Sequence, residues 1–287
     1  MKYDVAHTTR YEYSEAVLVS HHVSRLSPRD LGNQECLQHE LRIEPAPVVT
    51  RNHLDYFGNV TTFFMMEGAH RGLTVTARSR VSVVPAQMPA PGNAIPWEAA
   101  RDYDALPPDV LEYIFASPSV PVHTAVAEYA RRSFVPGRPF MEAIIDLTRR
   151  IHEDFTFDPA ATTVATPLRD IMQLRRGVCQ DFAHLGIGCF RAAGLAARYV
   201  SGYLETVPPP GSARLTGADA SHAWLSVYHP GFGWIDVDPT TNLLPIDTHI
   251  TLGWGRDYND VSPIRGVILG GGDHSLTVSV DVMRVQD

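Results

Sequence analysis

Between Cys179 and Gly194 the chain reads Cys-Gln-Asp-Phe-Ala-His-Leu-Gly-Ile-Gly-Cys-Phe-Arg-Ala-Ala-Gly, and apolar or small residues occupy most of the circumference of the helix this spacing predicts. A helix with so little polar surface is buried in the centre of a domain. Its glycines and alanines admit a sheet and neighbouring helices closely, at some cost in helix propensity. The 287 residues, 44% hydrophobic and 20% charged, are enough for one large domain or two smaller ones with such a core. Cys179 stands in the first turn, directly after Arg176-Gly177-Val178. A thiol there faces unpaired backbone N–H groups and the positive end of the helix dipole, and both favour the thiolate. Cys189, nearly three turns along, reads as a small core hydrophobe, and Cys36 as packing too.

A nucleophile needs a base and an orienting acid. Ser221 to Tyr228 and Trp234 to Asp238 both alternate at period two around His229-Pro230-Gly231-Phe232-Gly233, which predicts an antiparallel hairpin. A tight His229-Pro230-Gly231 loop sets His222 opposite Asp238. A longer loop pairs Trp224 with Asp238 and leaves His222 one diagonal away, roughly 7–8 Å in a regular ladder. Either register brings His222 and Asp238 to one face and one end of the sheet. Asp236 shares that face, so spacing alone leaves two candidate acids. Because Ala223, Leu225, Val227, Ile235 and Val237 form the opposite, aliphatic face, the Cys179 helix is expected on the His222 face beside Trp224, with another layer covering the aliphatic side. Cys179, His222 and an aspartate are the parts of a thiolate mechanism. The imidazole takes the thiol proton, the carboxylate fixes its tautomer, and the helix-start N–H receives the developing oxyanion. Gln173, Tyr203 and Trp224 are candidates for a second oxyanion donor.

Elsewhere, residues 1–85 alternate and are rich in β-branched side chains, as in Thr8-Thr9-Arg10-Tyr11-Glu12-Tyr13 and Leu73 to Val83, and predict a sandwich-like or open-sheet β domain with a hairpin turning at Gly58-Asn59. Prolines crowd residues 86–121, which reads as an interdomain connection with short helical turns near Asp109 to Phe115. The catalytic part is then 122–287, with scaffold helices at Val122–Phe134 and Phe140–Phe155 and a strand after Gly194. A Pro208-Pro209-Pro210-Gly211 loop is expected to overhang a cleft. Gly270-Gly271-Gly272 reads as a flexible turn, and Leu276 to Val282 as a closing edge strand. His152 reads as a helix C-terminal cap, Asp181 as a first-turn cap, and His184 as packing or solvent-facing. Arg256 and Tyr258 either shape the substrate cleft or form a structural pair with Asp257.

A formal net charge of -8 and the lack of a Lys/Arg stripe argue against nucleic acid as a partner. No apolar run is long enough for a leader or a bilayer span, so a cytoplasmic protein without membrane partners is expected. Three unevenly spaced cysteines make neither a disulfide framework nor a paired CxxC site, and the thirteen histidines show no HExxH, so neither metal nor cofactor is expected. Asn59-Val60-Thr61 matches a glycosylation sequon by chance in that compartment.

Gly177-Val178-Cys179-Gln180-Asp181-Phe182-Ala183, Ala197-Arg198-Tyr199-Val200-Ser201-Gly202-Tyr203, His222-Ala223-Trp224 and Gly233-Trp234-Ile235-Asp236-Val237-Asp238-Pro239-Thr240, in that order, resemble the bacterial transglutaminase-like superfamily. Thr8 to Tyr13, Asp55-Tyr56-Phe57-Gly58-Asn59 and Gly255-Arg256-Asp257-Tyr258-Asn259-Asp260-Val261 resemble one bacterial branch with a β-rich region before the core. The resemblance implies an α+β fold, a papain-like core whose Cys-bearing helix lies on an antiparallel sheet. It also implies a Cys179–His222–Asp238 triad, since the family's aspartate precedes Pro-Thr. It further implies acyl transfer through a thioester on peptide or protein substrates, with water favoured as acceptor because the branch is regarded as protease-like. A primary amine as acceptor, giving a cross-linking transglutaminase, and an inactive peptide- or glycan-binding module are the alternatives.

Overall fold

The computed structural model describes residues 1–89, 95–205 and 221–285; the Pro208-Pro209-Pro210-Gly211 stretch lies outside the described residues. The chain begins with β1 (Lys2–Ser24), β2 (Gln34–Glu44), β3 (Val49–Leu54) and β4 (Val60–Val83). β1 and β4 pair antiparallel from Lys2↔Ser82 to Ser24↔Thr62. β2 follows the second half of β4 and β3 the first, so residues 34–54 act as one long interrupted neighbour of β4. Alternation along β1 buries Tyr3, Val5, His7 and Thr9 on one face. The expected hairpin at Gly58-Asn59 is present. Gly58 takes φ 73°, and the Asp55 carboxylate accepts from the N–H groups of Phe57 at 3.0 Å and Asn59 at 2.9 Å.

Residues of the proline-rich stretch do more than connect. Trp97, Ala100 and Val120 are buried in the main core, and Leu106, Val110 and Tyr113 form a smaller one around α1 (Pro108–Leu111). There follow α2 (Thr124–Arg131), α3 (Phe140–Asp154), β5 (Thr156–Phe157), α4 (Leu168–Leu174), β6 (Arg176–Gly177), α5 (Cys179–Ala192), β7 (Ala197–Leu204), β8 (Ser221–His229), β9 (Gly233–Val237), β10 (His249–Gly255) and α6 (Tyr258–Val261). β7 to β10 form an antiparallel sheet in the order β10-β7-β8-β9.

α5 is buried as its composition requires, but on the other face from the one expected. Phe182, Leu185, Ile187, Cys189 and Phe190 join Ala223, Leu225, Val227, Ile235 and Val237 in one cluster, with α2, α3 and α4 outside. Gly186 lies against Leu225 with no room for a side chain. The physical reason is burial: the aliphatic face offers the larger apolar area to an apolar helix. The opposite face is covered instead by the smaller cluster and by Arg198, whose guanidinium lies between Trp234 at 4.2 Å and Trp254 at 3.8 Å.

The chain returns to the first sheet. β11 (Ile264–Gly270) pairs with Val17 to Ser24 and β12 (His274–Val285) with Lys2 to Tyr13, so they run in line along β1. The strand expected at the end of the catalytic part therefore belongs to the first sheet. Gly270-Gly271-Gly272 is not a reversing turn but a bulge-like break between collinear strands, its residues at φ 95°, 94° and 60°. Tyr203, Ile250 and Leu252 pack into the core of that sheet. Asn59, fully buried, accepts from Trp254 N–H (2.9 Å) and Arg29 (2.7 Å) and donates to the Trp254 carbonyl (2.9 Å). It is thus a tie between the sheets rather than an accessible glycan acceptor. Among the described residues no helix is long and apolar enough to cross a membrane.

Candidate active site

Cys179 is positioned by the entry into α5. β5 and β6 pair in parallel, Thr156↔Arg176 and Phe157↔Gly177, and deliver the chain to the helix start in extended form at Val178. The Asp181 carboxylate, one turn in, accepts from the Val178 N–H at 2.8 Å and from Thr162 Oγ1 at 2.7 Å, the first-turn cap expected of it. Burial raises its pKa, and these two hydrogen bonds oppose the shift. A Cβ on Gly177 would lie 2.6 Å from Asp181 Oδ2, so glycine there is a condition of the cap. Cys179 itself is half-buried at the helix start.

β8 and β9 pair from Leu225↔Val237 to His229↔Gly233, the longer-loop register, with Pro230-Gly231-Phe232 between. The ladder stops at Val237. Asp238 enters a turn closed by backbone bonds to and from Leu243, where strand parity no longer dictates side-chain direction. Asp238 is thereby free to turn to His222, which stays in the β7–β8 ladder opposite Gly202. His222 Nε2 donates to Asp238 Oδ2 at 2.8 Å, and Cys179 lies close enough to the same ring to favour its protonated form. Asp236, the other candidate acid, instead accepts from Ser226 Oγ.

Asp238 is fully buried, and its Oδ2 also accepts from His249 Nε2 at 3.1 Å and Thr241 Oγ1 at 2.6 Å. Oδ1 takes the N–H of Thr240 at 2.9 Å and of Thr241 at 3.4 Å. Burial would raise this carboxyl, but the donors His222 and His249 outweigh it and hold it well below the usual carboxylate range. Burial likewise works against the His222 imidazolium, yet Asp238 and Cys179 push the ring up to about 10. Both shifts describe one ion pair in a dry environment. His222, Asp238 and His249 have potential ligand atoms within 4.8 Å of one another, a spacing open to a metal ion; their Nε2 and Oδ2 atoms are joined by hydrogen bonds.

The remaining expected residues divide. Tyr203 gives its hydroxyl to a hydrogen bond with His7 Nδ1 (2.9 Å) inside the first sheet's core, which removes it as an oxyanion donor. Gln173 is exposed on α4, and its side chain has no hydrogen-bond partner among the described residues. Trp224 is fully buried with Nε1 unpartnered, its ring stacked 6.1 Å from His222. Arg256 pairs with Asp260 (2.9 and 3.0 Å), neither with Asp257 nor in the site. Tyr258 is half-buried, its ring 6.3 Å from Tyr199, and its N–H donates to His184 Nε2 at 3.1 Å. His184 is therefore a buried packing residue. His152 donates Nδ1–H to the Thr240 carbonyl at 3.0 Å, tying the end of α3 to the turn that carries Asp238. Two site residues escaped the sequence reading. Thr241 was visible only as a neighbour of Asp238, and His249 opens a strand that no motif connects with the triad.

Residues 3–82 match the model of the bacterial transglutaminase-like N-terminal region, and residues 128–239 that of the transglutaminase-like superfamily. An uncharacterized protein of Mycobacterium tuberculosis (strain H37Rv) is 43% identical over 98% of this chain and 92% of its own. A protein-glutamine gamma-glutamyltransferase of Pseudomonas aeruginosa is 32% identical over 42% of this chain and 18% of its own. A crystal structure from Cytophaga hutchinsonii, named as a candidate cysteine protease, superposes with a TM-score of 0.78 at 20% identity, covering 100% of this chain and 91% of that one. With the Cys-bearing helix on a four-stranded antiparallel sheet and the β-rich region before it, the chain belongs to the transglutaminase-like superfamily, in the form that carries the bacterial N-terminal region.

Proposed function

We propose that the protein is a cysteine-dependent acyl-transfer enzyme acting on amide bonds of peptides or proteins, with Cys179 as nucleophile, His222 as general base and acid, and Asp238 as its orienting carboxylate. One observation carries the reading: His222 spends Nε2 on a buried aspartate, and a cysteine at a helix start helps hold its ring in the protonated form. The Cys179 sulfur attacks the carbonyl carbon, and the electron pair moves onto oxygen beside the Cys179 N–H. One such donor contributes about 2.7–4 kcal/mol. Collapse breaks the C–N bond, His222 protonates the leaving amine, and a thioester remains. His222 then takes a proton from the incoming acceptor as the C–S bond breaks and the thiolate returns.

We favour water as acceptor, on the resemblance to a protease-like branch; a primary amine is the second reading, favoured by the partial match to a named transferase. Incubation with a glutamine-containing peptide library, with and without an added amine, separates them by mass spectrometry. Water-derived products alone fit the proposal, and amine adducts overturn the preference. A Cys179 that iodoacetamide labels no faster than Cys36 or Cys189 would indicate an inert scaffold and end the enzymatic reading.

A further inference from the structure

We propose that His249 is a positioning residue of this site: from the opposite edge of the sheet it fixes the carboxylate of Asp238 toward His222. The inference rests on the proposed roles of those two residues. In the order β10-β7-β8-β9, Asp238 follows one edge strand, His249 opens the other, and His222 lies on β8 between them. Asp238 has left its ladder, so the sheet does not fix its side chain. Thr240 and Thr241 hold it from its own turn, and His249 adds a donor from the far edge of the sheet. Its Nε2 meets Oδ2 at 3.1 Å, and because a carboxylate only accepts, that nitrogen carries the proton. Nδ1 is in turn hydrogen-bonded to Thr248 Oγ1 at 3.0 Å, so both ring nitrogens are held.

The ring cannot swing away. It is buried, with the Trp224 indole edge-on at 4.9 Å and 80°. Trp224 in turn lies along His222 at 28° between planes, and the two imidazoles are themselves 5.7 Å apart, so the three rings pack against one another. Gly202, paired with His222 on the intervening strand, leaves space for that indole; any Cβ there would run into the Trp224 ring and the Ile250 carbonyl. Behind His249 a cavity of about 200 Å³, lined by Arg198, Trp234, Asp236 and Trp254 among others, adjoins the ring.

The test is the rate at which iodoacetamide labels Cys179, with circular dichroism and Tm as checks of fold. His249→Ala is expected to slow labelling about tenfold or more, the scale seen when an orienting partner is lost. His249→Gln, whose amide can place an N–H where Nε2 stands, should recover most of the rate, and His249→Asn, which falls short, should not. Imidazole, with the cavity behind it, should restore His249→Ala. Where wild-type Cys179 labels faster than Cys36 and Cys189, equal rates in the wild type and His249→Ala, or Gln no better than Asn, would overturn the proposal. The His222 Nε2 proton gives a readout independent of the thiol. By NMR it should exchange with water faster in His249→Ala and regain protection in His249→Gln. Unchanged exchange in His249→Ala sinks the positioning role even if Cys179 proves inert, and an inert Cys179 with the expected exchange pattern sinks only the enzymatic reading.

Discussion

The Asp181 carboxylate closes onto the Val178 N–H at 2.8 Å and fills the space that a side chain at Gly177 would need. Gly177→Ala therefore either displaces Asp181 or bends the approach to Cys179. An overpacked buried site costs about 1–3 kcal/mol. The expected outcome is a lower urea midpoint together with slower labelling of Cys179, whereas Gly32→Ala, with open space around it, should change neither.

Acid and alkali should weaken the fold for different reasons. Burial pushes His7 and His184 down to about 4, as it does His22 with help from His70 and His21. Unfolded histidines titrate near 6.5, so below that value the unfolded chain binds protons that the folded chain refuses, and stability falls as pH drops toward 4. Three such protons correspond to a slope of up to roughly 4 kcal/mol per pH unit. His222 has the opposite sign: raised to about 10, it contributes fully below 6.5 and loses its contribution as pH rises through 10. Unfolding midpoints measured from pH 4.5 to 10 should peak near neutrality. His222→Gln should flatten the alkaline limb and leave the acid one.

Asn59 holds the two sheets together through both ends of its amide. Asn59→Ala strands the Trp254 backbone N–H and carbonyl and one bond of Arg29. Each buried orphan costs about 1–3 kcal/mol. A loss of about 3 kcal/mol or more in urea unfolding is expected, with hydrogen exchange rising first in β10 and at the start of β4. Protection unchanged in both segments would mean that the contact does not couple them.

Tyr203 and Arg256 are expected to be silent in the chemistry. Tyr203→Phe removes a bond to His7 and should cost about 1 kcal/mol of stability. Arg256→Ala removes an ion pair with Asp260 that is partly exposed, worth about 0–1 kcal/mol. Neither should alter the turnover of an amide substrate. A tenfold loss of turnover from Tyr203→Phe would return it to the oxyanion hole.

Legibility followed the physics of each signal. α5 was visible because an all-apolar helix has one place to go, and the hairpin because period-two alternation around Pro-Gly leaves few registers. The helix was nevertheless assigned to the wrong face of the sheet. Strand parity does not reach Asp238, which lies one residue past the last β8–β9 pair. His249 was illegible because its contact with Asp238 joins opposite sheet edges, a tertiary relation that leaves no trace in local spacing. β12 was recognised as a strand and misplaced for the same reason: alternation reveals a strand, not its neighbour.

β1 has β4 on one side and, on the other, strands that begin at Ile264. During synthesis β1 to β4 leave the ribosome long before their last partner. Until then one whole edge of β1 offers unpaired N–H and carbonyl groups to any passing strand. The transglutaminase-like core must emerge, and can begin to fold, while that edge waits. β11 and β12 therefore act as a clasp, and the β-rich region that precedes the core is completed only after the core has been made.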